Sequence, residues 1–109
     1  MLSARNCLIS LGALALLAVS ARAGEPLTDA QVEEGRALFA QFNCAACHTL
    51  ADAGANGGQA PSLDGNAKLN AEYIAQQLRE GGDEMPAYGE VLSEQQLAQL
   101  TAYILQVRQ

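Results

Sequence analysis

The sequence has no tryptophan, one histidine (His48), two methionines and three cysteines. A structural zinc site takes four ligands, usually Cys and His. Outside the N-terminal stretch discussed below, Cys44, Cys47 and His48 are the whole supply, so zinc would have to recruit carboxylates. Basic residues are scarce as well. Lys and Arg total 6 against 12 Asp and Glu, a formal net charge of −6. That balance argues against nucleic acid and anionic membrane surfaces, both of which would repel the chain. It suits a partner with a basic docking surface, and it equally suits a chain kept soluble by its charge. No run alternates apolar and polar residues for long enough to argue a sheet. No internal repeat divides the 109 residues, so one domain is expected.

Long apolar runs are missing everywhere but the N-terminus. There Arg5 provides a basic start, residues 7–19 (CLISLGALALLAV) an apolar stretch, and Ala21-Arg22-Ala23 a small-x-small cleavage pattern. Residues 1–23 are therefore expected to be a signal peptide, cut before Gly24, with residues 24–109 as the domain. A retained membrane anchor is the alternative. Sixteen residues lie between Arg5 and Arg22, whereas crossing a bilayer takes about 20 apolar residues. Cys7, inside this stretch, has no assigned role. Removal of Arg5 and Arg22 leaves four basic against twelve acidic residues, a formal charge of −8. The remaining 86 residues carry a modest apolar inventory, much of it alanine. Domains this short are marginal unless a disulfide, metal or cofactor adds to the core. Something large and apolar is expected at the centre.

Three helices can be read from caps and periodicity. The first opens at Thr28 with Gln31 three positions on, a capping-box spacing. Val32, Gly35, Phe39 and Phe42 follow on one face. The second has Asn70 as N-cap, with Ala71, Ile74, Ala75 and Leu78 on one side and Gly81-Gly82 to stop it. The third starts at Ser93, with Gln96 completing another capping box, and carries Leu97, Leu100, Ile104 and Val107 as its stripe. Residues 51–66 and 81–92 are loops rich in glycine and proline. The fold class is all-α, and such long loops usually need something to wrap around.

Cys44-Ala45-Ala46-Cys47-His48 is a CxxCH sequence, the attachment signal for c-type haem. Two thiols separated by two residues can reach the two vinyl groups on one porphyrin edge. The next residue, His48, then lies under the iron. A thioredoxin-like dithiol expects a βαβ setting, which is absent. A plain disulfide is allowed in an oxidising compartment, but its small loop brings little entropic benefit. Haem is the preferred reading, and export fits it, because bacterial haem attachment follows export. For the second axial ligand, Met85 is the one methionine besides Met1, and it sits beside Pro86 in a Gly-rich loop. A methionine more often fills a core gap, yet no second histidine exists. A His48/Met85 iron is the economical reading.

The order of these parts resembles class I cytochromes c, most closely the small bacterial periplasmic kind. CxxCH stands near the mature N-terminus, followed by Ala60-Pro61-Ser62-Leu63-Asp64-Gly65, then Met85-Pro86-Ala87-Tyr88, then a terminal helix. The likeness runs from Thr28 to Gln109. It implies a cytochrome c fold, with three main helices and long loops around one covalent haem c. It also implies that Pro61 presents its carbonyl to Nδ1–H of His48, although Pro61 by itself is as well read as a plain loop residue. Gly35 and Phe39 match the family's first helix, and Leu100 and Tyr103 its last, as crossing residues. Tyr88 either covers the methionine side of the haem or simply buries its ring. Arg36, Lys68 and Arg79 are candidates for the haem propionates. The function implied is one-electron transfer between redox protein partners in the periplasm, by a monomer that is not an enzyme. The alternatives are a tightly bound cytochrome subunit of an oxidoreductase complex and a small haem peroxidase.

Overall fold

The computed structural model describes Gly12 and residues 25–109. The signal peptide expected over residues 1–23, Cys7 included, lies outside the described residues apart from Gly12, as does Gly24. The described chain runs α1 (Asp29–Gln41), a 3-10 turn (Cys44–Ala46), β1 (Thr49–Leu50), a second 3-10 turn (Ala51–Ala53), β2 (Ala55–Asn56), α2 (Ala71–Glu80) and α3 (Glu94–Val107). All three helices begin where the sequence places their caps. Thr28 Oγ1 accepts from Gln31 N at 3.2 Å while Gln31 Oε1 accepts from Thr28 N at 2.9 Å. Ser93 and Gln96 repeat the exchange at 3.1 and 2.9 Å. Asn70 Oδ1 accepts from Tyr73 N at 2.9 Å. Each such cap is worth about 1 kcal/mol. Gly81 ends α2 with φ +67°, in the left-handed region that glycine enters without strain.

The core is one cluster, drawn from all three helices and from Leu50, Ala55, Leu63, Leu69 and Leu92 of the connecting segments. Tyr103, Phe39, Leu50 and Leu100 are its most completely buried large side chains. Helix α1 crosses α3 at Gly35, where a Cβ would overlap the Cβ and ring of Tyr103. Phe39 meets the same ring edge-on, with centroids 6.3 Å apart and an interplanar angle of 62°, a geometry aromatic pairs favour. The Tyr103 hydroxyl then donates to Asp52 Oδ2 at 2.6 Å. Asp52 also takes the Arg36 guanidinium, with Nη2 at 3.0 Å from the same oxygen. One carboxylate in the turn after β1 thereby ties α1, α3 and the segment that follows CxxCH. Burial, and then the bond to Asp52, push the Tyr103 phenol above its ordinary range.

The all-α reading stands, with two local differences. Residues 49–56 form a minimal antiparallel hairpin, pairing Thr49 with Asn56 and Leu50 with Ala55. Two-residue strands are too short to leave an alternating pattern in sequence. Ala71, placed by its spacing on the apolar side of α2, is exposed, and burial along that helix begins at Ile74.

Candidate functional site

Helix α1 ends at Gln41 with Phe42 as its C-cap, and Asn43 turns the chain in a left-handed conformation (φ 60°), which Asn tolerates better than most residues. The next turn is tight. Cys47 N and His48 N both donate to Cys44 O, at 3.3 and 3.0 Å. Both thiols and the imidazole therefore project from a single turn. That turn is fastened to the following loop by three backbone hydrogen bonds: Gly57 N to His48 O at 3.2 Å, Ala60 N to Cys47 O at 3.0 Å and Leu63 N to Thr49 O at 2.9 Å. Thr49 Oγ1 adds a bond to Gly57 O at 2.7 Å. Gly57 lies so close that a Cβ there would collide with the Cys47 backbone and the Ala45 carbonyl. Sequence reading registers Gly57 only as a loop residue. Its real signal, a close backbone approach, is non-local.

The fastening brings the Pro61 carbonyl to 2.8 Å from Nδ1 of His48. A carbonyl can only accept, so Nδ1 carries a proton, and in the neutral ring it is Nε2 that has the lone pair to offer a metal.

A cavity of about 650 Å³ opens beside this wall, within the roughly 300–1,000 Å³ usual for small-molecule and cofactor sites. Cys44, His48, Pro61 and Met85 all line it, and Phe39, Ile74, Leu78 and Ile104 give it apolar walls. Cys47 is half-buried and is not on the lining. Burial pushes the free Cys44 thiol up to about 11, so it is neutral at neutral pH. The donor set suits a flat apolar macrocycle carrying a borderline-soft metal, with thiols for its edge and one nitrogen and one thioether sulfur for its iron. Among the described residues no group of three or more His, Cys, Asp or Glu side chains could by itself hold a metal ion.

Met85 comes from a loop shaped by Gly81 and Gly82. Gly82 N donates to Met85 O at 3.0 Å, and a Cβ on Gly81 would press against that same oxygen. Tyr88 anchors the far end of the loop. Its N donates to Leu78 O at 2.8 Å, and its hydroxyl to Phe42 O at 3.3 Å. Its ring meets Phe42 edge-on at 6.0 Å. Tyr88 is half-buried and does not line the cavity. Of the three basic candidates for propionate contact, Lys68 lines the cavity and Arg36 and Arg79 do not. Among the described residues no helix is long and apolar enough to cross a membrane.

Residues 30–104 match the family model described as cytochrome C oxidase, cbb3-type, subunit III. Cytochrome c6 of a Synechococcus species is 32% identical over 104 residues, covering 90% of this chain and 89% of the relative. Cytochrome c6 of a Picosynechococcus species is 35% identical over 107 residues, covering 84% and 86%. Among solved structures, the c-type cytochrome SorU from Sinorhizobium meliloti superposes with a TM-score of 0.64 at 34% identity, over 73% of this chain and 93% of that one.

Proposed function

Because the chain belongs to the cytochrome c family, as a small class I cytochrome c, we propose that it moves single electrons through a haem ligated by His48 and Met85. Membership makes it an electron-transfer cytochrome with covalent haem c, and Cys44 and Cys47 fit the attachment motif. When bound, the haem supplies the ferric/ferrous couple. In our reading Cys44 and Cys47 would form the two thioethers, His48 Nε2 and the Met85 sulfur would hold the iron, and Pro61 would keep the imidazole in register. One observation carries this assignment: Cys44, His48 and Met85 line a single cavity, with His48 Nδ1 bonded to Pro61 O at 2.8 Å.

Thioether ligation and burial both favour the ferrous state, which raises the potential relative to bis-histidine ligation. With His48 and Met85 both holding the iron, no place would be left for peroxide or oxygen, and we read the chain as a carrier and not an enzyme. The leader over residues 1–23 directs it to the periplasm and is removed there. The acidic surface steers a monomer toward basic faces of redox partners, through a small and short-lived interface. A rate of electron transfer indifferent to ionic strength would remove that steering.

A pyridine haemochrome of the exported protein, with the mass of the intact chain, tests the assignment. One haem per chain with two thioethers is expected, and a colourless protein from a host competent to mature such haems would defeat it. The family model's own description, a subunit of an oxidase, favours a second reading, a cytochrome that stays bound to a catalytic complex. Persistent co-elution with a larger subunit from the native source would decide for it.

A further inference from the structure

A haem in the cavity described above brings two propionate carboxylates, and charge at the margin of an apolar cavity is costly unless paired. The described residues contain four Lys and Arg side chains, and three are already engaged. Arg36 is held by Asp52 at 3.0 Å, and Arg79 by Glu94 at 2.9 Å. Arg108 Nη1 donates to the carbonyls of Asn66 and Leu69, at 3.2 and 3.0 Å. None of the three lines the cavity. Lys68 does, and among the described residues it enters no ion pair. The carboxylates on the same lining, Asp83 and Glu84, would repel a propionate.

The segment bearing Lys68 is fixed. Arg108 grips the carbonyls on either side of it, Asn66 Oδ1 accepts from Lys68 N at 3.0 Å, and Asn66 Nδ2 donates to Ser62 O at 3.2 Å. Arg108 thus spends its charge on orienting the turn and leaves the cavity to Lys68. We propose that Lys68 is the counter-ion of a haem propionate, positioned by the Arg108 clamp, and that it sets part of the reduction potential. This rests on the haem reading above. An ionised propionate stabilises ferric iron, and a cation beside it offsets that negative field, so Lys68 raises the potential.

Lys68 is also the one lysine in the sequence, which allows a test that does not depend on folding a variant. Acetylating amines on the mature holoprotein neutralises Lys68 and the chain terminus alone. The midpoint potential should fall in the wild type and stay unchanged in Lys68→Arg. Lys68→Gln should reproduce the fall, and Arg79→Gln, which neutralises a cation away from the cavity, should not. The haemochrome should be the same throughout. Equal potentials before and after acetylation would overturn the proposal, as would an equal fall in Lys68→Arg or Arg79→Gln. A wild type without haem would instead sink the haem reading itself, and this assignment with it.

Discussion

On the histidine wall of the cavity, residues 47–49 are joined to residues 57–63 by three backbone hydrogen bonds and a threonine hydroxyl, over a glycine pressed against the Cys47 backbone. The methionine wall is held differently. The Met85 carbonyl is bonded to Gly82 within its own loop, and its neighbours Asp83, Glu84, Pro86 and Ala87 are all exposed. Tertiary support arrives only further on, at Tyr88 and Gly89, which bond to Leu78 and Arg79 of α2. The comparison teaches a division of labour. Under the proposed ligation, the wall that would present two thiols and an oriented imidazole is organised in advance, while the wall that would supply Met85 rests on a segment with few buried contacts of its own. Local opening follows such differences in support, so of the two proposed ligands Met85 is the one expected to leave first.

The hardest blow to the comparison is loss of covalent attachment. Cys47→Ala is expected to leave one thioether or to fail in maturation. The mass of the purified chain and its haemochrome would show this, and a stable two-thioether product would have no explanation here.

A pair of adjacent glycines sharpens it next. Gly57→Ala drives a methyl into the Cys47 backbone and should cost about 2–3 kcal/mol, as overpacking does. Gly58→Ala meets nothing within 4 Å and should stay within about 0.5 kcal/mol of wild type. Denaturant midpoints of the two holoproteins give the answer, and equal stabilities would mean that the histidine wall is not tightly built.

The smallest effect belongs to the methionine side. Tyr88→Phe removes the hydroxyl bond to Phe42 O at a cost of about 1 kcal/mol or less. If Met85 holds the iron as proposed, the change should also speed its replacement by added imidazole, followed by stopped-flow absorbance. Replacement as slow as in the wild type would show that Tyr88 does not support the loop.

What was legible in the sequence was contiguous in it. Thr28, Asn70 and Ser93 reveal their helices because a cap acts within three residues of itself, and CxxCH reveals its chemistry because both thiols and the imidazole lie within five positions. Pro61 was reached only through the family resemblance, since nothing local distinguishes it from any loop proline. The tie from Asp52 to Tyr103 spans 51 positions, and no periodicity announces it. Arg36 looked available to a propionate because its partner Asp52 lies on another element, 16 positions away. The glycine at 57 read as a turn, although the contact that demands it is with Cys47.

The paired axial ligands are tested most directly by the weak red charge-transfer band that ferric haem shows when bound to thioether sulfur. The wild-type holoprotein should display it. Met85→Ala should lose it, with a lower potential and rapid cyanide binding, while the haem stays covalently attached. A wild type without the band, or a Met85→Ala variant that retains it, would contradict ligation by Met85.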